Sequence, residues 1–171
     1  MTPLPKPLGG GDLVFWRIDA QKFADSWDSG TGAYLLGGRW NGVGTHTVYA
    51  SLDPATTILE RAAHTGFNAL DELPHVLTSA VVRDPTDIHV VRPDDVPNPH
   101  WLNPGSLSPA QQRFGDDLLS RHPFVLVPSA ISQHSWNVIF NPELAAQRYR
   151  QISQERFALD PRLNRAANDT N

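Results

Sequence analysis

Three side chains able to do chemistry, Arg39, Tyr49 and Glu60, fall in one stretch, GGRWNGVGTHTVYASLDPATTILE, from Gly37 to Glu60. A guanidinium fork grips phosphate or carboxylate. A tyrosine offers a flat ring for stacking and a hydroxyl for bonding, and a carboxylate stabilises a positive charge that develops beside it. Each also has a plainer reading. Arg39, between Gly38 and Trp40, could be a structural arginine stacked on the tryptophan; Tyr49 could be core; Glu60 could be a solvated helix carboxylate. What favours chemistry is their placement at the ends of short elements, where a fold aims side chains at a ligand from a rigid frame.

Several other chemistries are excluded by the residues. There is no cysteine, so disulfides, thiol catalysis and thiolate-bound metal have no ligands. The chain has no GxxxxGK[ST], no GxGxxG after a strand and no GxSxG, the signatures of a P-loop, a dinucleotide fold and a serine-hydrolase elbow. Its seven histidines form no HExxH and no i,i+4 pair, so no metal is expected. The net charge is −4 and there is no run of Lys or Arg, which argues against nucleic acid as a direct partner.

The totals describe one domain. At 171 residues, 40% hydrophobic and 19% charged, the chain is long enough for a sizeable core and short for two. No stretch has the 18 or so apolar residues of a membrane span, and the Pro- and Gly-rich start does not read as a signal peptide. A soluble cytoplasmic protein is expected. Residues 1–11 read as a flexible tail, 12–163 as the domain and 164–171 as a polar tail.

The positioning elements follow from pattern. Leu13 to Ile18 reads as a buried strand ending near Arg17, Ala20 to Trp27 as a short helix, and Asp28 to Gly44 as loop and turn. Thr47 to Ser51 is a strand. Asp53 caps a helix with Pro54 at its first position, and Gly66 ends it. Ala55, Ile58, Leu59, Ala62 and Ala63 make an apolar stripe that predicts the buried face and leaves Glu60 off it. Strands are expected at 75–82 and 87–91. Five prolines make 93–109 an ordered loop with Trp101 and Leu102 to bury. A helix from Ser108 to Arg121, a strand pair at 124–127 and 136–140, a helix from Asn141 to about Arg150 and a strand at 155–159 complete a mixed α/β class.

Seven pieces of the chain, taken in order, resemble the RES-domain family, named for its Arg, Glu and Ser residues. They are FWRI around Arg17, GGRWN around Arg39, VYAS around Tyr49, ILE at Glu60, VPSA at Ser129, WNVIFNP from Trp136 to Pro142, and FALDPRL near the end. The family often carries a His soon after the Asn-Pro pair, where this chain has Glu143-Leu144, and the segment 93–109 matches no piece.

The resemblance implies a fold similar to that of ADP-ribosyltransferase toxins, with small β-sheets packed together and helices around them. It implies the toxin of a bacterial toxin–antitoxin pair that depletes NAD by cleaving the nicotinamide–ribose bond, by hydrolysis or phosphorolysis. Protein ADP-ribosylation and a catalytically silent antitoxin-binding module are the alternatives. NAD would be substrate, with no further cofactor, and the partner an Xre-type helix-turn-helix antitoxin. Carried onto this chain, Arg39, Tyr49 and Glu60 would be catalytic, and Arg17, Trp40, Asn41, Ser129 and Asn137 would contact the substrate.

Overall fold

A computed structural model describes residues 12–163 except Pro104 and Ser106. The tails expected at 1–11 and 164–171 lie outside the described residues. Seven strands form one hydrogen-bonded order: β1 (Val14–Ala20), β2 (Val48–Ser51), β3 (His75–Val82), β4 (Ile88–Val90), β5 (Phe124–Pro128), β6 (Trp136–Phe140) and β7 (Tyr149–Phe157), arranged β4-β5-β6-β2-β1-β3-β7. Only β4 and β5 run parallel; the other neighbours are antiparallel.

The order is continuous but not uniform. β1 pairs with β3 over its whole length, and β2 with β6 over all of its own, whereas β1 meets β2 only at Trp16 and Ser51. The sheet is therefore two blocks, β1-β3-β7 and β4-β5-β6-β2, joined at one residue pair, with the strands splaying apart beyond it. Where small sheets packed together are expected, the structure has one seven-stranded sheet that narrows to a single pairing at this point.

One face of the sheet curls around the main core, and ring distances show the curl. Phe15 on β1 lies 5.6 Å from Phe140 on β6 and 6.3 Å from Phe124 on β5. Two strands separate β1 from β5, and at about 4.8 Å per strand a flat sheet would hold these rings much further apart. The alternation of Val48, Ala50, Leu126 and Val138 inward supplies the rest of this core. The opposite face is covered by two groups of helices. α4 (Pro109–Arg121) packs Leu118 and Leu119 on Val125, Val127 and Ile139. α2 (Pro54–Thr65) and α3 (Phe67–Glu72) pack Ala62 and Leu70 on Ile18 and Leu77. The cleft described below opens between these groups, above the splay.

Local signals explain most elements. Asp53 accepts from the Thr56 N–H at 2.8 Å, Ser108 from the Gln111 N–H at 3.3 Å and Asn141 from the Glu143 N–H at 2.9 Å, each ahead of a proline. Four expectations are corrected. α1 (Thr31–Leu36) occupies part of the expected loop, and α3 was not foreseen; both are six residues long and lack a side-chain cap. α5 (Pro142–Ala145) stops early because Gln147 takes a left-handed φ of 64° and β7 then runs along β3. Leu102 is exposed; the proline-rich segment is anchored by Trp101 together with buried Val96 and with Asn98, which donates to Gln111 Oε1 at 2.9 Å.

The fourth correction concerns α2. Of the expected apolar face, Ala62 is buried and Ile58 half-buried against the sheet, whereas Ala55, Leu59 and Ala63 are exposed and Thr56 and Thr57 are buried in their place. A polar atom ties the helix to the sheet: Thr57 Oγ1 donates to the Trp16 carbonyl of β1 at 2.6 Å, while Thr56 Oγ1 completes the cap by donating to Asp53, also at 2.6 Å. That rotation turns Glu60 inward. Among the described residues, no helix is long and apolar enough to cross a membrane.

Candidate active site at the seam of the sheet

The α2 face that turns inward carries Thr57, Glu60, Arg61 and His64, at the i, i+3, i+4, i+7 spacing of one helical face. Together they wall an open cleft whose floor is the seam of the sheet: Arg17 on β1, Tyr49 and Ser51 on β2, and Asn137 on β6.

Glu60 is held by two side chains. Ser129 Oγ donates to its Oε1 at 2.8 Å and Asn137 Nδ2 to the same oxygen at 2.5 Å. Both donors are themselves oriented. Ser129 Oγ accepts the backbone N–H groups of Ile131 (3.2 Å) and Ser132 (3.0 Å), so its one proton is directed at Glu60. Ser51 Oγ donates to Asn137 Oδ1 at 2.7 Å, which fixes the amide with its nitrogen toward the carboxylate. Oε2 of Glu60 makes no hydrogen bond among the described residues and is free to meet a ligand. Ser129, although it touches Glu60, is fully buried behind it.

Arg17 works in the splay. Its Nη1 donates to the Tyr49 carbonyl at 2.7 Å, bridging β1 and β2 where the ladder has opened. Its Nε and Nη2 form a two-pronged pair with Asp19 at 2.8 and 2.7 Å. The charge of Arg17 is thereby largely neutralised within the floor.

Tyr49 divides its ring from its hydroxyl. The ring lines the cleft. The hydroxyl lies deep below, donating to Asn41 Oδ1 at 2.7 Å and accepting the Trp40 N–H at 3.1 Å. Burial pushes its pKa well above the ordinary phenol value, with the Trp40 bond opposing. It is a permanently protonated strut.

The glycine-rich loop 37–44 is shaped by that strut. Asn41 is fully buried, and its Nδ2 donates to the carbonyls of Ala33, Gly42 and Thr45 at 3.0, 2.9 and 3.2 Å. Trp40 is buried against α4. The carbonyl of Trp40 lies so close to Gly115 that a methyl there would overlap it, and Gly38 has no room for one beside the Tyr49 hydroxyl. Gln112 donates to the Gly38 carbonyl at 2.9 Å, and Asp116 accepts the Gly42 N–H at 3.1 Å.

The expected residues therefore separate. Arg17, Tyr49, Glu60 and Asn137 converge on the cleft, with Ser129 behind Glu60. Trp40 and Asn41 do not line it: the Asn41 amide and the Trp40 backbone N–H are spent inside the loop and on the Tyr49 hydroxyl, so their part is to hold Tyr49. Arg39 is not among the residues lining the cleft; its Nη1 donates to the Trp101 carbonyl, tying the loop to the proline-rich segment. Ser51, Thr57, Arg61 and His64 were missed. The last three carry a signal in the sequence, the polar face TxxERxxH, which the neighbouring alanines and Leu59 obscured.

Comparison with known proteins agrees with this frame. The RES domain model matches residues 14–160. Two proteins named Toxin Res, from Photorhabdus laumondii and Pseudomonas putida, are each 30% identical over 90% and 88% of this chain and 99% of their own length. The Prs ADP-ribosylating toxin of a Sphingobium species is 32% identical over 90% of this chain and 98% of its own. The crystal structure of the M. tuberculosis MbcT–MbcA toxin–antitoxin complex superposes with a TM-score of 0.69 at 19% identity, covering 86% of this chain and 85% of that one, and so shares the fold. With a seam-lined cleft, a carboxylate fixed over it and a family match across nearly the whole described chain, this protein belongs to the RES-domain family.

Proposed function

We propose that this chain is the toxin of a bacterial toxin–antitoxin pair and consumes NAD by breaking the bond between nicotinamide and ribose. The observation that carries the reading is Glu60, fixed through one oxygen by Ser129 and Asn137 while the other meets the cleft. Departure of nicotinamide leaves an oxocarbenium-like ribose, the same kind of transition state as in glycoside hydrolysis. A pre-oriented carboxylate beside it stabilises the charge without having to reorganise. Nicotinamide leaves as a neutral molecule, so no general acid is required at the leaving group. The ring of Tyr49 offers a face for stacking, and Arg17 and Asn137 hold the floor. Arg39, Trp40 and Asn41 act at one remove, through the loop that supports Tyr49. The relatives named as toxins support the toxin role, and the structural neighbour's toxin–antitoxin complex supports an antitoxin partner. An Xre-type antitoxin and a cytoplasmic setting are what the family resemblance implies.

Transfer of ADP-ribose to a protein is the second reading, favoured by the Sphingobium relative's name. Incubating the purified protein with NAD, with and without phosphate, and separating the products tests both. Free nicotinamide with ADP-ribose, or with its phosphorylated form when phosphate is present, supports NAD consumption and names the acceptor. Intact NAD alone, with labelled NAD marking a protein in lysate, moves the function to the second reading. Intact NAD and no labelling refutes both and leaves an antitoxin-binding module.

A further inference from the structure

Arg61 stands apart from the other arginines near the site. Arg17 is paired with Asp19, and Arg39 is turned to the Trp101 carbonyl. The Arg61 side chain lines the cleft yet makes no hydrogen bond or ion pair among the described residues, and its Nε is sealed from solvent. Leaving a guanidinium N–H shielded without an acceptor costs stability. The neighbouring Glu60 does not relieve it, because successive residues on a helix diverge by about 100° and the bonds of Glu60 run to Ser129 and Asn137.

We propose that Arg61 is the phosphate clamp of the cleft, gripping the pyrophosphate of the dinucleotide from the α2 wall. This rests on the NAD reading and adds an orientation to it. NAD has a positive nicotinamide ring at one end and a doubly negative pyrophosphate beyond the ribose. The α2 wall offers the matching order: a carboxylate at Glu60, then a guanidinium at Arg61, then His64 one turn after Glu60 at the rim. With the nicotinamide ribose at Glu60, the pyrophosphate falls toward Arg61, whose fork bonds two phosphate oxygens at once. The reverse placement would set phosphate against carboxylate. Arg61 is thus a binding residue, and the paired Arg17 is left to shape the floor.

The test compares NAD with nicotinamide riboside, which has the scissile bond and no phosphate, in wild type, Arg61→Gln and Arg61→Lys. Arg61→Gln is expected to lower kcat/KM for NAD about ten- to a hundredfold, the range for losing a hydrogen-bonded charge, with the loss mainly in KM. Its kcat/KM for the riboside stays within about twofold, and Arg61→Lys recovers part of the loss on NAD. Equal losses on both substrates, or none on NAD, overturn the proposal. A calorimetric titration with ADP-ribose keeps it separate from the catalytic reading. If wild type leaves NAD intact but binds ADP-ribose, and Arg61→Gln does not, the clamp stands while the chemistry falls. If both bind alike, or neither binds, the clamp falls too.

Discussion

Replacing Tyr49 by Phe separates two roles that the sequence leaves merged. The substitution keeps the ring at the cleft and removes only the hydroxyl. It leaves two buried groups without a partner, the Trp40 N–H and Asn41 Oδ1. Each unsatisfied buried group costs about 1–3 kcal/mol. Burying a hydroxyl also carries a desolvation cost, which Phe avoids, so the net loss should be about 2–4 kcal/mol. In a domain of this size about 2–4 °C of Tm accompanies each kcal/mol, which gives a fall of roughly 4–16 °C. The hydroxyl points away from the cleft and stays protonated, so kcat on NAD, measured well below the new Tm, should remain within about tenfold of wild type. Paired thermal melts and initial rates read both quantities. A variant that melts like wild type but loses turnover a hundredfold or more would refute the strut and make the hydroxyl a reacting group.

Glu60→Gln keeps an acceptor for Ser129 and Asn137 and removes the charge; kcat should fall by about two to three orders of magnitude with the melt little changed, and unfolding of the variant would make Glu60 structural. Gly115→Ala drives a methyl into the Trp40 carbonyl, so a destabilisation of about 3 kcal/mol or more is expected in denaturant titration, with weaker NAD binding as the loop shifts. His89 stacks on His122 at 4.4 Å, and its pKa is lowered by partial burial and then by the charges of His122 and Arg121, against Asp95. The unfolded chain then binds the proton more readily than the folded one, so stability falls as pH drops below about 6.5. His89→Gln should flatten the Tm profile between about pH 7 and 5, and an unchanged slope would remove His89 from that dependence.

What was legible in the sequence follows from how local each signal is. The strand at His75–Val82 and the helix after Ser108 are written in adjacent residues, a run of β-branched types and a cap followed by proline, and the structure places them as read. The stretch from Gly37 to Glu60 was visible as the site region because glycine, an aromatic strand and a capped helix succeed one another there. The turn of α2 was not visible. Ala55, Leu59 and Ala63 have the right period for a core face, but Thr57 bonds the Trp16 carbonyl on β1 and holds the polar face of the helix inward. The setting of Arg39 was hidden for a similar reason: local sequence gives a flexible, uncrowded arginine, and the proline-rich segment, far along the chain, supplies the carbonyl it bonds. Trp40 and Asn41 beside it looked available because nothing nearby in sequence shows that α4 and Tyr49 enclose them.

The single pairing of Trp16 with Ser51 has a consequence for how long this protein lasts in a cell. The two blocks share the core of Phe15, Phe124 and Phe140, so what is weak at the seam is its backbone ladder. It can fray locally at a lower free energy than the shared core needs to open, and a frayed seam exposes backbone to proteases. Anything seated in the cleft touches Arg17 on one side and Asn137 on the other, and so fastens the blocks together. Its concentration relative to its affinity sets the added resistance. Abundance of the ligand and persistence of the protein are then linked: as the ligand is used up, the fastening is withdrawn.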